Sequence, residues 1–411
     1  MQGFLVCFTT AFSLLILHRN LASTRVKITP CNLCPACDTS SSFQERASPI
    51  PSKSTNQDIK ITSQIQSLAS SLSLDDLWTI STLKNEFNDW LRRPDTVMWS
   101  LSVAPLKDFT KLLPAVWRKL LGMGSLIPDP SRPPVVIDVG AARYNDVSDD
   151  SETLLVHKSF GSFPVVTIGV DAAPGKVNEL LAIAKSHGIN MDRFFVDSRA
   201  IFRSTGEATL YAKGSAADMN LYSLLPPGNP VTRVKTISMV DLLEGNDRIR
   251  SFLGPNPLFY VKVDTEGGEY AVLDGMEAVL RERRVLIAAF EYALFWGEEF
   301  AVLRDEAAKD IYKPIGDVSH PTLREFQMRF WDFGYILFVI GNNNMVPVSG
   351  IWWDSNFEFC LEPRKILRRT WCVSDVVAIR KDPSLLRIVL SAFKVQYDVE
   401  KAVEIFMKTS P

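Results

Sequence analysis

The sequence has no excess of basic charge, because 45 lysines and arginines stand against 47 aspartates and glutamates. Without a basic surface to hold a phosphate backbone, nucleic-acid binding is disfavoured. The dinucleotide fingerprint G-x-G-x-x-G is also absent, which disfavours a tight pyrophosphate site. No Asn-x-Ser/Thr sequon occurs, so no glycosylation signal supports a luminal location.

The N-terminal segment carries no charge from residue 3 to residue 17, which is shorter than the ~20 residues that cross an average bilayer. A cleaved signal peptide and an uncleaved signal anchor are the alternatives. No basic residue precedes the segment, Arg19 and Arg25 follow it, and the possible cleavage site is poor. We therefore predict a signal anchor over residues 1–18, with its orientation left open.

A flexible stem is predicted over residues 19–64, which are rich in serine and cysteine. Cys31, Cys34 and Cys37 form a C-x-x-C-x-x-C run there. Zinc requires four ligands and no histidine lies nearby, so no metal site is predicted. Disulfides in a secretory lumen, or acylation beside the membrane, are favoured instead.

Three further segments are predicted after the stem: a helical extension (65–127), an α/β domain (128–382) and a C-terminal helix (383–411). The extension is predicted from apolar residues at three- and four-residue spacing, as in Leu77, Ile80 and Leu83. A tryptophan such as Trp117 is expected to pack between the extension and the α/β domain rather than to bind a substrate.

The α/β domain opens with residues 135–141, V-V-I-D-V-G-A, a pattern typical of a parallel strand buried on both faces. Ligands bind beyond the carboxyl ends of such strands, where Asp138 and Gly140 are expected. A glycine there lets the backbone approach a ligand closely.

The next two predicted strands also end in acids. Asp171 follows the second strand and is expected to accept both ribose hydroxyls of a nucleoside. Asp197 and Ser198 follow the third strand and are candidates for contact with the adenine edge. Since no phosphate-binding glycine loop is present, a nucleoside cofactor without phosphates fits best.

A second strong pattern ends at Asp264 and continues through a glycine-rich turn into a helix. Asp264, Glu266 and Glu269 are crowded there, which can raise one pKa enough to make a base. Function is favoured for Asp264, whereas Glu269 is slightly better explained as a favourable charge at the helix start. The next strand is predicted to end at Glu291, and His320 in the segment that follows is a further candidate base.

These motifs resemble the FkbM-type S-adenosylmethionine-dependent methyltransferases. The Asp-Val-Gly-Ala of residues 138–141 matches the family's first motif, and Asp171 with Pro174 matches its second. Residues 262–275 are similar to its most specific motif almost position for position, and residues 235–243 resemble the segment before it. The similarity extends over roughly Val135 to Arg380.

The resemblance implies a Rossmann-like mixed sheet of seven strands, the cofactor S-adenosyl-L-methionine, and a small-molecule or glycan acceptor. Some plant members have a similar N-terminal anchor and stem, which implies a membrane-anchored protein of the secretory pathway, with the Golgi as the expected location. The candidate cofactor-binding residues are Asp138, Gly140, Ala141, Asp171, Asp197, Ser198 and Asp264. The candidate catalytic residues are Asp264, Glu266 and His320.

Three functional hypotheses remain. O-methylation of a sugar or small-molecule hydroxyl or carboxylate is favoured. A catalytically inactive scaffold is the alternative, because Ala142, Arg143 and Tyr144 stand where the family usually has an asparagine and another glycine. A dinucleotide-dependent oxidoreductase is the weakest hypothesis. The sequence does not predict an oligomeric state.

Overall fold

A computed structural model provides the structure of the chain. The residues it describes are 72–91, 104–141, 152–173, 175–213, 221–223, 229–265, 269–293, 323–341, 344–353 and 373–409.

Helices and strands alternate through most of the described chain, as expected for an α/β domain. The strands are β1 Val135–Val139, β2 Val166–Val170, β3 Phe194–Asp197, β4 Ala200–Ile201, β5 Gly206–Lys213, β6 Leu221–Ser223, β7 Asn229–Ile237, β8 Leu258–Val263, β9 Val285–Ala293, β10 Tyr335–Ile340, β11 Met345–Pro347 and β12 Val373–Arg380. The helices are α1 Leu74–Leu91, α2 Ala104–Leu120, α3 Glu152–Ser159, α4 Lys176–Ser186, α5 Met239–Gly245, α6 Asp247–Leu253, α7 Glu269–Arg281, α8 Leu323–Asp332, α9 Pro383–Phe393 and α10 Val399–Lys408.

The main sheet of the described residues has eight strands in the order β11-β10-β12-β9-β8-β1-β2-β3. Strands β9, β8, β1, β2 and β3 are mutually parallel, whereas β12 runs antiparallel to both β9 and β10. The prediction of a mixed sheet is therefore confirmed, but the predicted number of seven strands is wrong. The additional strand β11 pairs antiparallel with β10 at the edge, and its three residues are too few to give a recognisable pattern.

A second sheet of the described residues has the order β4-β7-β5-β6 and lies between β3 and β8 in the sequence. Helix α7 packs closely against this region, because a side chain at Gly275 would overlap the carbonyl oxygen of Phe202 at 2.2 Å. This close approach explains why the helix carries a glycine there.

The core forms around β1, β2 and β8, in which every residue is buried. The helical extension packs onto it through α2, where Trp117 is 1% exposed and meets the ring of Phe259 edge-on, 5.1 Å away. The packing role predicted for this tryptophan is confirmed. In α1, Ile80 and Leu83 are buried, but Leu77 of the same predicted stripe is exposed.

The C-terminal segment is two helices, so the prediction of one helix is wrong. Helix α9 ends at Phe393, where Lys394 adopts a left-handed conformation with φ 57°. Asp398 then begins α10 by accepting a hydrogen bond from the backbone N–H of Lys401. Helix α10 is tied to α1 because Lys408 Nζ lies 3.1 Å from Asp76 Oδ2.

No helix in the ranges that the structure describes is both long and apolar enough to span a membrane. The predicted anchor (1–18) and stem (19–64) lie outside those ranges.

Candidate active site

The carboxyl ends of four neighbouring strands meet at one edge of the main sheet. The backbone N–H of Asp264, just after β8, donates to Val139 O at 2.9 Å. The backbone N–H of Gly140, just after β1, donates to Val170 O at 2.9 Å. The next strand end continues the series, since the N–H of Asp171 donates to the carbonyl of Asp197 at 3.0 Å. The candidate residues at these strand ends are therefore side by side.

Gly140 is required at this edge by the neighbouring strand. Its φ is +83°, and a Cβ at this position would lie 1.6 Å from the carbonyl oxygen of Asp264. The sequence predicted a close approach of backbone to a ligand at this glycine. The structure has a close approach of backbone to backbone there, and the predicted ligand contact of Gly140 stays a prediction. Ala141, the next residue, is 4% exposed and packs with Leu154 and Leu180.

The two acids predicted to contact a nucleoside have different surroundings. Asp171 is half-buried, and its Oδ1 accepts a hydrogen bond from the N–H of Ala173 at 2.7 Å, which orients the carboxylate at the strand end. Asp197 forms two hydrogen bonds with the Arg199 guanidinium, at 2.9 and 2.6 Å. Ser198 between them is exposed. The carboxylate of Asp197 is therefore bonded to Arg199, whereas Ser198 is exposed to solvent.

Asp138 lies beneath the edge rather than on it. It is 3% exposed, and its Oδ2 accepts a hydrogen bond from the hydroxyl of Thr153 on α3. Its Oδ1 lies 3.8 Å from the Nζ of Lys262, its register partner on β8. Both oxygens therefore face other residues of this chain, and its predicted direct contact with a cofactor is untested.

Lys262 is the centre of a buried charge cluster that the sequence analysis did not identify. Its Nζ lies 2.5 Å from Glu152 Oε2 and 3.1 Å from Asp264 Oδ2, in addition to its ion pair with Asp138. Burial by itself lowers the pKa of a lysine, but the carboxylates of Asp264, Glu152 and Asp138 raise the pKa of Lys262 well above its ordinary value. Lys262 is therefore charged throughout the physiological range.

Two other carboxyl groups of the cluster are shifted towards the protonated form. Burial raises the pKa of Glu152, although Lys262 opposes this. Burial, together with the negative charges of Glu152 and Asp264, raises the pKa of Asp375 to about 7. Asp375 lies on β12, and the backbone N–H of Leu106 at the start of α2 hydrogen-bonds to it. The structure thus brings an acid from the C-terminal strand to the predicted site.

Further acids line the edge next to Asp264. One carboxylate oxygen each from Asp264, Glu269 and Glu291 lies within 4.8 Å of the others. Glu269 is fully buried and accepts a hydrogen bond from the N–H of Thr265 at 2.6 Å, which links the end of β8 to the start of α7. Glu291 was predicted to end its strand, but β9 continues to Ala293 and pairs Glu291 with Asp375. A group of carboxylates alone does not define a metal site, and we assign none.

The other predicted catalytic residues, Glu266 and His320, lie outside the described residues. Of the remaining histidines, His157 is half-buried, with its Nδ1 3.0 Å from the hydroxyl of Thr167. Burial lowers the pKa of His157. It packs against Phe194 near the amino ends of β2 and β3, as expected for a structural histidine.

The missed residues differ in the signal they offered. Lys262 was visible as the single charge in the run Leu258–Val263, and a charge in a fully buried strand requires a partner. Glu152 and Asp375 gave no such signal. They reach the cluster because α3 covers β1 and because β12 inserts beside β9, and both are consequences of the tertiary fold.

Residues 138–337 match the family model of the methyltransferase FkbM domain. This part of the chain is a methyltransferase FkbM domain. The match begins at Asp138 in β1 and ends within β10, so that α2 and β12 lie outside it. The family expected from the sequence is confirmed, and the FkbM domain supports a methyltransferase. Methyltransferases of this family generally use S-adenosylmethionine.

Among solved structures, the methyltransferase FkbM from Methylobacillus flagellatus KT is similar to this chain at 12% sequence identity with a TM-score of 0.27. The similarity covers 57% of this chain and 49% of that one, so the chain spans about half the length of that protein. At this score the similarity carries no argument about the site. No curated protein matches the chain.

Proposed function

We propose that the FkbM domain transfers a methyl group from S-adenosylmethionine to a hydroxyl of a sugar or another small molecule. The observation that carries this proposal is the alignment of the ends of β8, β1, β2 and β3, with Asp264, Gly140, Asp171 and Asp197 at adjoining positions. In open α/β sheets, this edge is where nucleoside ligands bind.

The residues at this edge fit the proposed cofactor. Bound S-adenosylmethionine would supply a methyl group on a positively charged sulfur, which an oxygen nucleophile can attack. The cluster around Lys262 has three carboxylates against one ammonium, and this excess of negative charge favours a cationic ligand. Asp171, half-buried and oriented by Ala173, would hold the ribose hydroxyls. The exposed hydroxyl of Ser198 is available for the adenine edge.

The charge of the edge also favours a hydroxyl over a carboxylate as the acceptor. Asp264 at the end of β8 and Glu291 on β9 are half-buried, and a carboxylate acceptor beside them would be repelled. A hydroxyl is neutral and loses a proton as its oxygen forms the new bond to carbon. Asp264, at the strand end, is the carboxylate that would accept this proton.

Binding of the cofactor tests the proposal directly. We expect isothermal titration calorimetry of the purified chain to detect S-adenosylmethionine binding, and Asp171→Ala to weaken it about 10- to 100-fold, the effect of losing charged hydrogen bonds. Asp192→Ala is the matched control, because Asp192 is an acid with a 91% exposed side chain near the opposite end of β3. Absence of binding by the wild-type chain would favour the non-catalytic scaffold.

The acceptor is tested in cells. Mass spectrometry of glycans and small metabolites from cells with and without the protein should find a methyl ether that depends on the protein. A methyl ester found instead would contradict the proposed preference for a hydroxyl.

We further propose that the N-terminal segment anchors the protein in a membrane of the secretory pathway, that of the Golgi. The charge-free residues 3–17 support a membrane anchor. We expect to recover the protein in the salt-washed membrane fraction. Deletion of residues 1–18 should abolish this association.

A further inference from the structure

Lys262 lies where a strand buried on both faces would ordinarily carry an apolar residue. It is 5% exposed, and its neighbours Val261 and Val263 are not exposed at all. A buried ammonium costs free energy unless carboxylates and hydrogen bonds compensate for it. Packing alone therefore does not explain a lysine at this buried position of the candidate site.

The ammonium meets carboxylates from three different elements: Asp138 of β1, Glu152 of α3, and Asp264 after β8. An ammonium has three N–H donors. Among the residues that the structure describes, Lys262 is the hydrogen-bond donor to Asp264, and its shortest ion pair is with Glu152. Tyr260 of β8 and Asp375 of β12 also face the cluster, and Glu269 and Glu291 lie next to Asp264.

Asp264 differs from the other two acids in its position. Its side chain is 16% exposed, against 4% for Asp138 and 13% for Glu152, and it follows the last residue of β8. Lys262 contacts its Oδ2 from the buried side, and no described residue donates to its Oδ1. The second oxygen is therefore left for a ligand at the edge of the sheet.

Without the ammonium, three carboxylates would face one another in a buried space. Like charges at such distances repel, and one of them would take up a proton or turn away. Asp264 is the acid best able to turn, because it lies outside the strand and faces partly towards solvent. The geometry of the site thus depends on the charge of a residue that lies below it.

We propose that Lys262 is a positioning residue: its buried ammonium holds the Asp264 carboxylate by one oxygen and directs the other towards the cofactor. This inference rests on the proposed function, since it assigns Asp264 a contact with S-adenosylmethionine. Lys262 itself acts through Asp264 and need not touch the ligand.

A double-mutant cycle in cofactor affinity tests this role. By titration calorimetry we expect Lys262→Met and Asp264→Asn each to weaken S-adenosylmethionine binding about 10- to 100-fold. Because the lysine acts through the aspartate, the double variant should bind no more weakly than the weaker single variant. A lysine with a purely structural role would give losses that multiply, and that result would overturn the proposal.

Stability measurements separate the charge of Lys262 from its packing. Lys262→Met leaves three carboxylates uncompensated, so its melting temperature should fall by about 6–15 °C. Adding Glu152→Gln removes one of the repelling charges and should restore part of the loss. If Lys262→Met alone fails to fold, cofactor binding is measured in the variant that combines Lys262→Met with Glu152→Gln, with and without Asp264→Asn. A double variant no more stable than Lys262→Met would contradict the electrostatic role.

Lys408→Met is the matched control, because it makes the same change at an ion pair on α10 that is remote in sequence from the edge. Its cofactor affinity should equal that of the wild type. Failure of the wild-type chain to bind S-adenosylmethionine would overturn the proposed function and this role together. Normal wild-type binding with multiplicative losses would overturn the role of Lys262 alone.

Discussion

Replacement of Gly140 by alanine is predicted to disturb the fold and the site together. The residue has φ +83°, and the new Cβ would lie 1.6 Å from the carbonyl oxygen of Asp264 and 2.7 Å from its carbonyl carbon. Both obstacles are backbone atoms in the middle of the sheet, so no side-chain rotation can relieve the overlap. The two strand ends must move apart.

The magnitude has two parts. A left-handed conformation costs a residue with a Cβ roughly 1–2 kcal/mol. Overpacking of a tightly packed region adds about 1–3 kcal/mol. We therefore expect Gly140→Ala to lower the free energy of unfolding by about 2–5 kcal/mol. At an m-value of about 3 kcal/mol per molar urea, the midpoint should fall by roughly 0.7–1.7 M.

Gly161→Ala isolates the first part, the conformational cost. Gly161 also has positive φ, +57°, but nothing lies within 4 Å of the Cβ position. Only the conformational cost of roughly 1–2 kcal/mol should be lost there. Equal midpoint shifts for the two variants in urea unfolding would refute the overlap. In titration calorimetry, Gly140→Ala should also weaken S-adenosylmethionine binding, because Asp264 must shift, whereas Gly161→Ala should bind normally.

Three further predictions concern the surroundings of the site. Trp117→Ala should lower the free energy of unfolding by about 3–5 kcal/mol by removing a buried side chain, whereas Trp78→Ala, at a 73% exposed position, should change it by about 0.5 kcal/mol or less. The raised pKa of Asp375 means that the folded state binds a proton more tightly than the unfolded state. The contribution of Asp375 to stability is therefore full below its ordinary pKa of 3.8 and is lost as the pH rises through about 7. Asp375→Asn should remove this loss when melting temperatures are compared at pH 5 and pH 8. Arg329→Met should lower the melting temperature, because it removes two partly buried ion pairs in which the guanidinium lies 2.6 and 2.7 Å from Asp274 and Glu277 on α7; an unchanged melting temperature would contradict this.

Predictions from the sequence were most accurate for the strands that are buried on both faces. Strands β1 and β8 are buried on both faces, so their runs of apolar residues were recognisable, and the glycine of β1 marked the strand end correctly. The acids at the ends of β2 and β3 followed from the same reasoning. The start of α10 could also have been predicted, because Asp398 is a typical N-cap residue.

The parts of the site that could not be predicted depend on contacts distant in sequence. Glu152 and Asp375 reach Lys262 only because a helix and the last strand pack beside it. Glu291 was placed at a strand end, since nothing in its local sequence shows that β12 extends the pairing past it. Local patterns report whether a residue is buried, but they do not report which charge lies opposite.

The last strand of the chain, β12, is an interior strand of the main sheet and joins β9 to β10. During synthesis, β10 and β11 therefore emerge from the ribosome before the strand that connects them to the parallel half exists. The sheet, and with it the acid that β12 brings to the candidate site, can be completed only after residue 380 has been made. A nascent or truncated chain that stops before residue 373 would carry the matched domain in full and still expose an unpaired edge of β9.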